Sequence, residues 1–123
     1  MKKLLIISLA ILFALAPGVW AGKAYPTRNI QAAVVWGAGG GTDTCVRVIT
    51  GEMQKFMDKK ITVINKTGGV AGSVGMSYAY GKKHDGYTLC GLSESNVTAG
   101  VQGGWDKKFD VWDTFIVGGS PDV

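Results

Sequence analysis

The chain has 123 residues, with 13 Lys and Arg against 9 Asp and Glu, a formal charge of +4, and 46% hydrophobic residues. That is one domain at most. Removing Lys2 and Lys3 with the N-terminal segment described next leaves 11 basic against 9 acidic residues, a net +2, too little for a nucleic-acid footprint. The pairs Lys59-Lys60, Lys82-Lys83 and Lys107-Lys108 are scattered and sit beside Asp58, Asp85 and Asp106, so they read as solvated turn faces.

Lys2 and Lys3 precede an apolar run from Leu4 to Ala16, broken by Pro17 and Gly18, with small residues at a cleavage point after Ala21. The run falls short of the roughly 20 apolar residues that cross a bilayer, so residues 1–21 are expected to be a secretory signal peptide. No Cys follows the cleavage point, so a soluble exported product of 102 residues is expected. Export permits a disulfide between Cys45 and Cys90. Both lie in apolar stretches, however, where a small buried hydrophobe is the ordinary role. Neither has a second Cys or a His at metal-ligand spacing, and His84 sits in a Lys-Lys-His-Asp-Gly turn, so neither a metal site nor a Cys-His nucleophile is expected.

Ile30 to Trp36 is a continuous apolar run that suits a strand buried on both faces. Gly37-Ala38-Gly39-Gly40-Gly41 follows it, and Thr42 and Asp43 then supply a helix start. Val46, Ile49, Met53, Phe56 and Met57 form one apolar helical stripe up to the charged turn Asp58-Lys59-Lys60. The plan repeats: a strand over Ile61 to Ile64, the cluster Gly68-Gly69-Val70-Ala71-Gly72, and a short helix from Ser73 to about Tyr80. A turn over residues 81–86 leads to a third strand, Tyr87 to Leu92. Trp105, Phe109, Trp112 and Ile116 fall at helical spacing, but the Asp-rich segment from Trp105 to Asp113 reads equally as a loop with aromatics docked on the core, the alternative we favour. Thr114 to Val117 reads as the start of a strand.

Strands alternating with helices predict an α/β fold, a parallel sheet with helices on both faces. Ligands in such sheets sit beyond the carboxyl ends of the strands. Both glycine clusters, and Ser93-Glu94-Ser95-Asn96 after the third strand, fall there. A glycine loop before a helix lets backbone N-H groups close on an anion at the positive end of the helix dipole. The dinucleotide fingerprint fails, because Gly37-x-Gly39 is followed by Thr42 where Gly is needed and no acid stands near residue 62; neither cluster ends in Gly-Lys-Ser/Thr. No base-nucleophile pair accompanies Ser73, Ser93 or Ser95, so binding without catalysis is expected, with no catalytic residue, metal or cofactor. A nucleotide- or phosphate-using enzyme domain and a truncated product without binding activity are the alternatives.

Tyr25-Pro26-Thr27-Arg28, Val34-Val35-Trp36-Gly37-Ala38-Gly39-Gly40-Gly41-Thr42-Asp43 with Arg47, Asn65-Lys66-Thr67-Gly68-Gly69-Val70-Ala71-Gly72-Ser73 and Asp85-Gly86-Tyr87-Thr88-Leu89 resemble the Bug family, the extracytoplasmic solute receptors of tripartite tricarboxylate transporters. The resemblance runs from about Tyr25 to Leu92 and weakens beyond. It implies a two-lobed, hinge-closing periplasmic binding protein (type II-like) that delivers a small carboxylate to membrane permease subunits, with no nucleic-acid partner. It also implies a carboxylate held by backbone amides and waters at Gly39, Gly40, Gly41, Thr42 and Asp43, at Gly69, Val70, Ala71, Gly72 and Ser73, and at Ser93 and Ser95. Asp43 is expected to cap N-H groups or hold a water, without touching the ligand. Val35 stands where the family often has Pro, and Lys83-His84 where Ala-Pro is common. Family members are more than twice as long, so residues 22–123 are expected to be an incomplete N-terminal lobe whose last residues approach the hinge.

Overall fold

The computed structural model describes residues 24–116 and Gly118; residues 1–21, expected to be a signal peptide, lie outside the described residues. Three strands, β1 (Ile30–Val34), β2 (Ile61–Asn65) and β3 (Thr88–Gly91), form one parallel sheet in the order β2-β1-β3. Strand β1 is central, and Ile30, Ala32, Ala33, Val34 and Val35 are all buried, as its unbroken apolar run requires. Register sets Val34 level with Asn65 on one side and Gly91 on the other. All three strands therefore end at the same edge, and every loop that leaves them begins there.

Helix α1 (Gly41–Gln54) follows β1, and helix α2 (Ser73–Tyr80) follows β2. They lie on opposite faces, as alternate side chains of the sheet show. Val46 of α1 presses on Gly91 beside Val34, whereas Gly75 and Met76 of α2 pack against Val35. Gly75 is a contact point of helix and sheet: a Cβ there would meet Val35 Cγ1 at 2.8 Å and Val35 Cα at 2.9 Å and would collide with the Lys66 carbonyl. The core on that face holds Val35, Met76, Ala99 and Trp105, with Tyr80, Cys90, Leu92 and Trp112 against it.

Several sequence expectations need correction. Helix α1 ends at Gln54, and Phe56 is 87% exposed, so Phe56 is no part of a buried stripe. The buried positions of α1 are Asp43 and Thr50. Polar groups can occupy them because each is satisfied locally: Thr50 Oγ1 donates to the Val46 carbonyl at 2.7 Å, and the Gln54 amide donates to the Met57 and Lys59 carbonyls and accepts from the Ile61 N-H. Gln54 thus closes the α1–β2 connection that Phe56 and Met57 were expected to pack. Cys45 is exposed, not buried, and both cysteines are free thiols. Cys90 faces the α2 side, where burial pushes its thiol up to about 12.

Beyond β3 come a 3-10 turn (Glu94–Val97), the single-turn helix α3 (Thr98–Val101) and a 3-10 turn (Phe109–Val111). The loop reading of the aromatic segment holds. Trp105 is buried and stacks on Trp112 at 5.8 Å, with Tyr80 edge-on to both, while Phe109 and Ile116 are exposed. Residues 114–116 form no strand; their backbone pairs with none of the three strands. At the opposite edge of the sheet, Arg28 lies 3.9 Å over the Tyr87 ring and bonds Asp85 at 2.9 Å. Asp85 therefore pairs with Arg28 and not with the neighbouring lysines.

Candidate functional site

The first loop leaves β1 through Trp36 and enters α1 with Gly40 as the N-cap residue. Gly39 has φ +80°, a left-handed conformation that glycine adopts without steric cost. The helix start is one to two residues earlier than Thr42 and Asp43 suggested. Asp43 is the third helical residue and is only 2% exposed. Its Oδ2 accepts from the Gly39 N-H at 2.8 Å and from Arg47 Nε at 2.9 Å, and its Oδ1 accepts from Asn65 Nδ2 at 2.8 Å. Arg47 Nη2 donates to Asn65 Oδ1, and Asn65 Nδ2 also donates to the Trp36 carbonyl. The Arg47 bond above all, with those from Gly39 and Asn65, holds the Asp43 carboxyl far below the usual carboxylate range. The same bond raises Arg47 above its ordinary value.

This ring of contacts explains how a buried acid is accommodated in the first turn of α1. Both carboxylate oxygens are occupied by protein donors, and the Arg47 guanidinium compensates the charge. What remains toward solvent is the positive end of a 14-residue helix. Among the described residues, no acceptor faces the N-H groups of Gly41, Thr42 or Asp43, as expected for a first helical turn.

The second loop leaves β2 after Asn65. Gly68, Gly69, Ala71 and Gly72 all have positive φ, Ala71 at +47° being the one non-glycine so placed among the described residues. The main-chain N-H groups of Gly69, Val70, Ala71 and Gly72 likewise meet no acceptor there. Gly69, Gly72 and Gly104 are confined by close packing. A Cβ on Gly69 would strike Ser73 Oγ, one on Gly72 would meet Asn96 Nδ2 at 2.7 Å, and one on Gly104 would meet Val70 Cβ at 2.7 Å. Ser73 is buried beneath the loop and opens α2 without a side-chain cap.

The third loop, after β3, joins the other two. Ser93 Oγ accepts from Trp36 Nε1 at 2.9 Å, and Asn96 donates to the Ala71 carbonyl at 2.6 Å. Gly39 to Asp43, Gly69 to Ser73 and Ser93 thus share one edge and one hydrogen-bonded frame. Ser95 stands apart: it is exposed and among the described residues bonds only its neighbour Glu94, at 3.3 Å, and through its carbonyl Thr98. Sequence reasoning left Trp36, Arg47, Asn65 and Asn96 out of the site. The spacing Ser93-x-x-Asn96, similar to a capping box, was the one local signal for Asn96. Asn65 had none beyond its place at a strand end. Among the described residues no group of three or more His, Cys, Asp or Glu could hold a metal.

No family profile matches the chain. Over 77 residues it is 35% identical to Protein BugT of Bordetella pertussis, a match covering 63% of this chain and 23% of that protein. A solved structure described as a periplasmic transporter superposes with a TM-score of 0.51 at 39% identity, covering 55% of this chain and 22% of its own. The matched segment is similar to part of a Bug protein. A second solved structure, of the periplasmic binding protein BugD, gives 0.49 and 32% identity over 54% of this chain and 22% of its own. The chain spans less than a quarter of the length of each of these proteins. Its parallel sheet and flanking helices superpose on the corresponding part of the periplasmic transporter.

Proposed function

We propose that this chain belongs to an exported periplasmic receptor that captures a small carboxylate and passes it to the permease subunits of a tripartite tricarboxylate transporter, without catalysing a reaction. The observation that carries this reading is the pair of glycine loops at one sheet edge, each with main-chain N-H groups that meet no acceptor among the described residues. Seven such donors and a helix N-terminus suit a planar anion, and the neutralised Asp43 does not repel one. The relatives named as a periplasmic transporter and as Bug proteins support the receptor class. On this reading residues 1–21 are a leader removed on export, and residues 22–123 contribute to the N-terminal lobe.

Calorimetric titration of the purified protein with citrate, with smaller dicarboxylates, with an aromatic acid and with ATP tests the proposal. A carboxylate that binds while ATP does not is the expected outcome. Saturable ATP binding in the absence of any carboxylate response would instead support a nucleotide-using domain, and silence across the panel would reject the receptor reading for this chain.

A further inference from the structure

Resting on the receptor reading above, we infer that Asn96 is a positioning residue of the ligand site, a clamp that holds the second glycine loop open through Ala71. Asn96 is fully buried, and its amide has one orientation only. Oδ1 must face the Ser93 N-H, at 2.6 Å, and Nδ2 must face the Ala71 carbonyl, also at 2.6 Å, because a backbone N-H donates and a carbonyl accepts. The remaining Nδ2 hydrogen lies toward Met76 Sδ at 3.9 Å. Asn96 is therefore spent entirely on other parts of the frame and offers nothing to a ligand directly.

Its partner is the strained residue of the site. Ala71 sits at φ +47°, ψ +41°, a left-handed conformation that an L residue with a Cβ resists. Strain of this kind persists only where surrounding structure enforces it, and the bond from Asn96 is the enforcing contact on the Ala71 carbonyl. Gly72 next to it, at φ +78°, lies against the same Asn96 amide. The left-handed turn at residues 71 and 72 gives the loop its row of unpaired N-H groups, since a right-handed continuation would fold them into a longer helix. Through Ser93, whose hydroxyl accepts from Trp36 and whose N-H binds Asn96, the clamp also joins the second loop to the end of β1. The first loop begins there.

The test uses Ala71→Gly as a rescuer, because glycine occupies the left-handed region without penalty. Asn96→Asp keeps the acceptor for Ser93 but loses the donor to Ala71. It should weaken citrate binding about tenfold, and the double variant with Ala71→Gly should return to within about threefold of the parent. Undiminished binding by Asn96→Asp, or a double variant as weak as the single one, would overturn the clamp. If Asn96→Asp does not fold, the double variant should, and its failure to fold would also reject the proposal. The backbone conformation of Ala71, read without ligand from NMR couplings and Cα shifts, separates the two levels of inference. A parent that ignores citrate and every other carboxylate of the panel sinks the receptor reading alone, whereas an Ala71 that stays left-handed in Asn96→Asp sinks the clamp alone.

Discussion

Gly41 and Gly69 separate two roles of glycine in the site. A Cβ on Gly41 meets nothing within 4 Å, and at the first position of a helix it leans back toward the N-terminus, over the unpaired donors. Gly41→Val should therefore leave the melting temperature unchanged while removing roughly 2 kcal/mol of citrate affinity, the scale of charged-group hydrogen bonds left unmade; parental affinity would place the ligand elsewhere. Gly69, at φ +70° with Ser73 Oγ against it, should lose stability before binding is measured. Asp43 makes a pH prediction. Its folded pKa is depressed, chiefly by the Arg47 bond, so its contribution is complete above the unfolded value of about 3.9 and is lost as pH falls through the lower folded value. Urea unfolding should show stability declining from about pH 4 downward. Asp43→Asn should flatten that slope and lower stability at pH 7, because an amide offers only one acceptor to three N-H donors. An unaltered slope in the variant would assign the acid sensitivity to another group.

At the level of elements, Gly75 tests how α2 seats on the sheet. In an exposed helix, Gly→Ala stabilises by up to about 1 kcal/mol. Here the added methyl meets the Lys66 carbonyl and the Val35 backbone, which cannot yield unless the helix lifts. Thermal unfolding should show Gly75→Ala destabilised by about 1–3 kcal/mol, and a gain would show that α2 is free to shift. The elements themselves were legible in the chain: the apolar run of β1, the alternation of β2 and the glycines before each helix located them to within a few residues. The inward face of α1 was not legible. Periodicity ranks Val46, Ile49, Met53 and Phe56 as core, yet Asp43, Thr50 and Gln54 turn inward because Arg47 and the Val46 carbonyl of the same helix, with Asn65 and the Ile61 N-H beyond it, satisfy them. Asn96 was hidden for the same reason. A buried amide is recognisable only by the two loops it joins, and these lie 25 residues apart in sequence for Ala71 and three for Ser93.

For the molecule as a whole, the described residues leave the outer edges of β2 and β3 unpaired and expose Phe56 at 87% and Val101 at 93%. Open edges and exposed large apolar side chains favour association. Sedimentation of the chain from about 1 to 100 µM should show mass rising with concentration, across the range in which weak contacts populate, and Phe56→Lys with Val101→Lys should reduce the rise. A monomer throughout would show those surfaces to be harmless. The loops, in turn, contain their own optical and magnetic probe. Trp36 donates its indole hydrogen to Ser93 at the junction of all three loops, whereas the indole nitrogens of Trp105 and Trp112 are buried without an acceptor among the described residues. A shared proton resonates downfield of an unshared one, so the Trp36 signal should stand apart in a simple two-dimensional spectrum. Any rearrangement of the site becomes visible in a single peak, with no label attached to the protein.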